Sequence, residues 1–203
     1  MLRYLLPLLL AVDLLLPSKP AALQRCQQYT RQVRISHFKQ FGTKYPWWYG
    51  VAQLEEESSC RSGSVSNDGV GSVGLSQVTP SFWMPHLIKA GIPDLKTARN
   101  QIRAQAYIMR DAHNHRYYEL WVSYQIYNGG RLVLKEIDRA GHGPCWAAAK
   151  SVAKRKDVVF SSGQVVNAAE INYRYSKRIY QHGQKYRIGT DSDRYPFWGP
   201  YDN

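Results

Sequence analysis

The sequence predicts a mainly α-helical protein that folds as one domain. Apolar residues recur at the spacing of a helix in several segments, and glycine or proline closes most of these segments. The chain has 203 residues, of which 44% are hydrophobic and 21% are charged, as in ordinary globular domains. This length supports one hydrophobic core rather than two, and this composition argues against disorder.

Residues 1–22 have the layout of a secretory signal peptide or an N-terminal membrane anchor. The first three residues carry a positive charge, residues 4–16 are almost wholly apolar, and small residues follow up to Ala22. The apolar run is short for a transmembrane helix. We therefore expect residues 23–203 to be exported to the periplasm, with membrane association through residues 4–16 if the leader stays attached.

The remaining chain divides into helices and one glycine-rich loop. Long helices are predicted at residues 23–41, 48–57, 97–112, 118–127 and 167–187, and shorter ones at 80–90, 132–140 and 145–155. Thr97 is a favourable N-cap, and Gly129-Gly130 provides a strong helix stop. Residues 58–80 combine glycines with many serines, which predicts a loop. The aromatic tail at residues 195–201 is expected to be irregular.

The chain is strongly basic, with a formal net charge of +12. Such a surplus favours polyanionic partners through long-range attraction. In an exported protein an anionic cell-wall polymer or a membrane surface fits this charge better than nucleic acid, and no nucleic-acid-binding signature is present. Solubility alone is the alternative explanation of the charge.

Cysteines and histidines give no metal-ligand spacing, so no metal site is predicted. The three cysteines, Cys26, Cys60 and Cys145, permit one disulfide in an oxidising compartment, and three pairings are open. A Cys60–Cys145 bridge would brace the glycine-rich loop. His113 and His115 are two residues apart on a predicted helix, so they are expected to point to different helix faces and to lie at the surface.

Glu57 is the candidate catalytic residue because it stands at the end of a predicted helix that opens into the glycine-rich loop. The helix fixes the carboxyl group, and a glycine-rich backbone can approach a polysaccharide closely. Successive helical residues are about 100° apart, so Glu55 and Glu56 cannot face the same cleft and are expected to form a solvated helix face. Trp47, Trp48 and Trp83 belong either to the walls of a cleft or to the core.

Three ordered motifs resemble those of the soluble lytic murein transglycosylase family. They are Glu57-Ser58 followed by Ser66, then Gly74-Leu75-Ser76-Gln77 with Pro80, and finally Tyr127-Asn128-Gly129-Gly130. The resemblance covers roughly residues 47–135, and the later part of the chain is more loosely similar to exported proteins of this type from phages and mobile elements. It implies a lysozyme-like transglycosylase domain with a motif core at residues 47–135 and a helical C-terminal extension at residues 140–203.

The resemblance also implies an activity and a set of site residues. Glu57 corresponds to a single catalytic acid and base that cleaves the MurNAc–GlcNAc β-1,4 bond of peptidoglycan to give 1,6-anhydromuramyl ends, without a metal or cofactor. The implied substrate-binding residues are Ser58, Ser66, Gly74, Gln77, Thr79, Tyr127 and Asn128. Ser76 stands where the family usually has methionine, which affects the shape of the sugar subsites. The implied partners are peptidoglycan glycan strands and a phage, conjugation or secretion machinery.

Two alternatives stay open at the level of sequence. A hydrolytic muramidase would cleave the same bond with a second carboxylate, for which Asp68 in the loop is the nearest candidate. A non-catalytic cell-wall-binding module would use the same cleft and the basic surface.

Overall fold

A computed structural model describes residues 20–66, 71–159 and 163–202. These residues form nine α-helices and one short β-hairpin, which confirms the prediction of a mainly α protein. No helix within these ranges is both long enough and apolar enough to cross a bilayer. The apolar residues 4–16, predicted to belong to a leader, and Asp68 lie outside the described residues.

The elements follow one another closely along the chain. The helices are α1 (Pro20–Gln27), α2 (Thr30–Phe41), α3 (Trp48–Ser58), α4 (Pro80–Lys89), α5 (Ala98–Ala112), α6 (Leu120–Gly129), α7 (Leu132–Ala140), α8 (Trp146–Ser151) and α9 (Ala168–Gly183). The antiparallel strands β1 (Asp157–Val159) and β2 (Val165–Asn167) pair just before α9. A short 3₁₀ helix, Pro200–Asp202, lies at the end of the described chain.

Most predicted helices are confirmed, and the differences have local causes. The Thr97 hydroxyl accepts a hydrogen bond from the Asn100 backbone N–H, so the predicted N-cap of α5 is correct. The helix expected at residues 23–41 is interrupted by a turn at Gln28–Tyr29. The helix expected at 145–155 ends at Ser151, and the hairpin behind it was not predicted because strands of three residues are too short for a period-two signal.

The core forms where α9 packs against α3 and α6, and where α2 packs against α5. Trp47 and Trp48 are buried in this main cluster and therefore belong to the core rather than to an open cleft wall. A smaller apolar cluster beneath α4 includes Leu87 and contacts the partly buried Trp83. Tyr127 packs against both clusters, so the tyrosine of the third motif lies at their junction.

The C-terminal tail is irregular up to the final 3₁₀ helix, as expected, and it forms part of the main core. Tyr195 and Phe197 are buried, and the Tyr195 hydroxyl donates a hydrogen bond of 2.9 Å to the Phe41 carbonyl. The Leu120 and Trp121 N–H groups at the start of α6 donate to carbonyls of the tail. These backbone contacts give the first turn of α6 the partners that its own helix cannot supply.

His113 and His115 converge instead of pointing to different faces. Because α5 ends at Ala112, the chain turns and brings both rings to the buried Ser123 hydroxyl, at 2.7 and 3.0 Å. The Tyr117 N–H donates to Nδ1 of His115, so Nε2 of that ring carries the proton and donates to Ser123. Burial lowers the pKa of His113 to about 4 and that of His115 to about 3, so both rings are neutral at physiological pH.

The disulfide joins Cys26 to Cys60, and the Cys60–Cys145 pairing considered from the sequence is wrong. Cys60 lies in the turn that follows α3, beside α1, where Nε of Arg25 donates to the Ser59 carbonyl. Cys145 precedes α8 and is a free, half-buried thiol. The bridge therefore braces the start of the glycine-rich loop against α1.

Removing this disulfide is expected to lower the free energy of unfolding by about 2–4 kcal/mol, because the bridge closes a loop of 34 residues in the unfolded chain. The test is urea unfolding of the Cys26→Ser/Cys60→Ser variant beside the oxidised wild type. Cys145→Ser is the matched control and should unfold like the wild type. Equal destabilisation by Cys145→Ser would contradict the assigned pairing.

Candidate active site

Glu57 occupies the last full turn of α3 and is half-buried between α3 and α9. Its Oε1 accepts a hydrogen bond of 2.5 Å from the Tyr175 hydroxyl of α9. Ser59 and Cys60, which directly follow the end of α3, adopt left-handed backbone angles, with φ of 52° and 58°. This turn ends α3 directly after the acid and leads the chain away into the loop.

A chain of buried hydrogen bonds orients Glu57. Nε2 of Gln105 donates to Oε1 of Gln53 at 2.9 Å, and Nε2 of Gln53 donates to the Tyr175 hydroxyl at 3.0 Å. Because the phenol oxygen already accepts from Gln53, its own proton points to the Glu57 carboxyl group. All three supporting side chains are buried, so α3, α5 and α9 together fix the acid through the core.

The surroundings of Glu57 favour its protonated form. Burial raises the pKa of Glu57 from 4.5 to about 8; the Tyr175 hydrogen bond opposes this shift and the neighbouring charge of Glu56 adds to it. Burial also raises the pKa of the Tyr127 and Tyr175 phenols, so both stay uncharged. Glu57 thus holds a proton near neutral pH, as a general acid requires.

The two preceding glutamates differ from Glu57, and the expectation that they form a solvated face is wrong. Oε1 of Glu55 lies 2.9 Å from Nζ of Lys185, and Oε1 of Glu56 lies 2.6 Å from Nε of Arg178. Their side chains are only 12% and 15% exposed. Glu57, by contrast, has no cationic partner among the described residues. Its Oε2 accepts no hydrogen bond from any of them.

Ser58 and Gly74 hold the loop against the end of α3. The Ser58 hydroxyl donates to the Leu75 carbonyl at 2.8 Å, and the Leu75 N–H donates to Oε1 of the buried Gln101 at 2.9 Å. Gly74 has a φ of 78°, and a Cβ there would lie 2.4 Å from the Gln101 side chain. Only glycine allows this approach of α5, so both predicted residues determine where the loop sits.

Ser66, Gln77 and Thr79 lie together in this loop, which short antiparallel bridges hold closed. The Ser66 hydroxyl accepts from the Ser72 N–H, and the Thr79 and Ser72 hydroxyls are 2.9 Å apart. Gln77 has a φ of 47°, and its Nε2 donates to the Gly74 carbonyl at 2.8 Å. A glutamine in this sparsely populated conformation marks a constrained position at the candidate site.

Tyr127 and Asn128 connect α6 to the same region. The Tyr127 hydroxyl donates to the Ser76 carbonyl at 2.9 Å, and the charge of Glu57 is close enough to contribute to the raised pKa of this phenol. Nδ2 of Asn128 donates to Oδ1 of the buried Asn172 at 2.8 Å. The structure therefore brings Tyr127 next to Glu57, while Asn128 is exposed beside α9.

A pocket of about 490 Å³ continues from Asn128 along α9. Asn128, Gly129 and Ile171 line it, and the segment Lys154–Lys156 forms its outer wall. Ile171 lies one helical turn before Tyr175, which corresponds to about 6 Å along α9. The pocket therefore adjoins the helix that supplies the Tyr175 hydroxyl to the candidate acid.

Sequence reasoning missed the residues that support the site. Gln53, Gln101, Gln105 and Asn172 are polar side chains at buried helix positions, and Tyr175 is a buried tyrosine of the last long helix. A buried glutamine or asparagine needs partners for both ends of its amide. Polar residues on an otherwise apolar helix face were the signal that could have indicated this network.

The arrangement can donate a proton to a bound ligand and take one back through a single carboxyl group. In the described ranges, no group of three or more His, Cys, Asp or Glu side chains could hold a metal ion. Asp68, the candidate second carboxylate, lies outside those ranges. Searches with known protein-family models and against curated proteins give no match to the chain.

Tyr175→Phe is expected to raise the pKa of Glu57 above its value of about 8, because the lost hydrogen bond favours the ionised carboxylate. The measurement is a ¹³C NMR titration of the Glu57 carboxyl carbon. Tyr186→Phe is the matched control, since the Tyr186 hydroxyl donates to Oε2 of Glu55 instead. An unchanged Glu57 titration in Tyr175→Phe would show that this contact does not set the protonation of the acid.

Proposed function

We propose that the protein is an exported lytic transglycosylase that cleaves the MurNAc–GlcNAc β-1,4 bond of peptidoglycan. The observation that carries the proposal is the Glu57 carboxyl group, which is half-buried, protonated near neutral pH and held by one phenol. The ordered motifs around Glu57, Gln77 and Tyr127 support the same reading. The lysozyme-like architecture and the assignment of residues 140–203 as an extension of that domain belong to this proposal.

Glu57 acts first as acid and then as base. Its proton passes to the glycosidic oxygen as the bond to C1 breaks, and the N-acetyl carbonyl of the substrate stabilises C1. The Glu57 carboxylate then takes the proton of the muramyl 6-hydroxyl while that oxygen bonds to C1, which closes the 1,6-anhydro ring and restores the acid. Tyr175 donates to the carboxyl group throughout and stabilises its charged form between the two steps.

In this proposal the glycan strand lies over the closed loop and the pocket beside Asn128. The side-chain amide oxygens of Gln77 and Asn128 have no hydrogen-bond partner among the described residues and can accept from sugar hydroxyl or amide groups. Ser58, Ser66, Gly74 and Thr79 act mainly by shaping the loop, because their groups are engaged within it or packed against α5.

The cellular setting is also proposed from the sequence. The leader at residues 1–22 directs the protein to the periplasm, where residues 4–16 associate it with the membrane if they are retained. Local opening of the wall for a phage, conjugation or secretion machinery is the role that fits such an enzyme.

Mass spectrometry of digested peptidoglycan tests the proposal. Purified glycan strands are incubated with wild-type residues 23–203 and with Glu57→Gln, and the new chain ends are identified. Anhydromuramyl ends formed by the wild type alone are the expected result. Reducing muramyl ends would indicate a hydrolase with Asp68 as partner, and wall binding without any new ends would indicate a non-catalytic module.

A further inference from the structure

A polar groove of about 850 Å³ lies between α2 and α5. None of the residues that line it belongs to the candidate active site. Four of the lining residues are cations, Arg31, Lys39, Arg99 and Arg103, and none is acidic. The groove is therefore a separate feature that the acid/base chemistry of Glu57 does not explain.

The groove is elongated because its walls follow helix rows. Arg31, Ile35 and Lys39 are four residues apart on α2, and Arg99 and Arg103 are four residues apart on α5. Residues at this spacing form a ridge along a helix surface. Eight residues of α2 correspond to about 12 Å, so the groove offers a trough with cations along both sides.

The cations of the groove lack counter-charges. Arg31, Lys39 and Arg99 form no ion pair with any described residue, and Nη2 of Arg103 donates to the Gly91 carbonyl at 2.9 Å. The sequence between residues 14 and 54 contains no aspartate or glutamate, so α1 and α2 contribute only positive charge. Unpaired charges of one sign along a concave surface attract oppositely charged ligands.

Amide groups line the floor between these cations. Gln32 and Gln40 are half-buried in the groove, and the buried Ser36 lies between them on the same row of α2. Amides and hydroxyls pair with ligand hydroxyl groups in either direction. Of the lining residues, Tyr107 is the sole aromatic one, which leaves no row of stacking platforms for single-stranded nucleic acid.

We propose that this groove binds an extended acidic polysaccharide. Its repeated anionic groups pair with the cations of the two walls, and its hydroxyl groups pair with the glutamine row. The groove holds the polymer independently of Glu57, so it would attach the protein to an anionic glycan whether or not the candidate site cleaves one.

The test is fluorescence anisotropy of labelled oligogalacturonate with the full chain at low and at high salt. Arg31→Gln/Arg99→Gln removes one cation from each wall and should weaken binding about tenfold, the loss expected for two exposed charge pairs. Lys44→Gln/Lys135→Gln is the matched control, because it removes the same charge from exposed lysines outside the groove and should change affinity less than about twofold.

Competing ligands decide what the groove recognises. Neutral dextran should not compete, and oligothymidylate of equal charge should compete less well than unlabelled oligogalacturonate. Equal losses in the two double variants would overturn the proposal in favour of net charge alone, and tighter binding of oligothymidylate would overturn it in favour of a nucleic-acid surface. Glu57→Gln should bind oligogalacturonate like the wild type, which separates this result from the fate of the proposed enzyme.

Discussion

Glu57→Gln is expected to lower kcat/KM for anhydromuramyl formation by about 10³-fold or more while the protein stays folded. The amide keeps the size of the side chain and can still accept from Tyr175, but it has no acidic proton for the acid step and is too weak a base for the second step. General acid or base catalysis typically contributes a factor of about 10²–10⁴, and in the proposed mechanism Glu57 supplies both steps in turn. Product formation by mass spectrometry and circular dichroism measure activity and folding separately.

The neighbouring glutamate supplies the control for this prediction. Glu55→Gln changes the same type of side chain on the same helix, but it leaves Glu57 and Tyr175 in place and removes the charge that faces Lys185. Activity should stay within a few-fold of wild type, because the amide can still accept from the Tyr186 hydroxyl and an ion pair with a partly exposed lysine contributes little. A loss in Glu55→Gln as large as that in Glu57→Gln would mean that helix α3, rather than one carboxyl group, had been disturbed.

The pH dependence gives the Glu57 prediction a second readout. The pKa of Glu57 is raised from 4.5 to about 8 in the folded protein, so between these values the folded state holds a proton that the unfolded state has lost. The contribution of Glu57 to folding stability therefore falls as pH rises through this window, by at most about 1.4 kcal/mol per unit, and acid catalysis falls above about pH 8. The buried neutral histidines give an opposite slope below their ordinary pKa of 6.5, so the difference between wild type and Glu57→Gln isolates the contribution of Glu57. Urea unfolding of both proteins at several pH values should show that this difference falls from pH 4.5 to about pH 8.

The sequence was sufficient for local features of the site and insufficient for its long-range partners. The position of Glu57 at a helix end, the N-cap at Thr97 and the bounds of α7 follow from spacing and composition over a few residues. Tyr175 is 118 residues from Glu57 in the sequence. Helical periodicity predicts that a tyrosine is buried, but not which distant residue it contacts. Glu55 was misjudged for the same reason, because its cation comes from the chain beyond α9.

The division into a motif core and a C-terminal extension describes the sequence better than it describes the packing. Helix α9 and the residues just after it supply Tyr175 for Glu57 and cations for Glu55 and Glu56. The environment that sets the pKa of the candidate acid is thus built partly by residues beyond 140. A substitution that destabilises the packing of α9 should consequently alter the environment of Glu57, although it changes no residue of the three motifs.

Arg155→Met is the change expected to loosen this region most, lowering the free energy of unfolding by about 3–5 kcal/mol. Nε of Arg155 lies 2.7 Å from Oε1 of Glu136, and the two side chains are only 6% and 4% exposed. The Tyr173 hydroxyl of α9 donates to the other carboxylate oxygen at 3.1 Å. Methionine fills the space but leaves the Glu136 charge buried without a cation, which chemical denaturation will detect.

Two further variants show whether the unpaired charge is the cause. Replacing both partners, as Glu136→Leu/Arg155→Met, removes the charge together with its partner and should recover most of the lost stability, because a well-packed apolar pair often substitutes for a buried ion pair. Arg174→Met breaks an ion pair with Glu170 whose arginine is 64% exposed, and it should cost less than about 1 kcal/mol. If the double variant were as unstable as Arg155→Met, packing rather than charge would anchor the hairpin and α9 to α7.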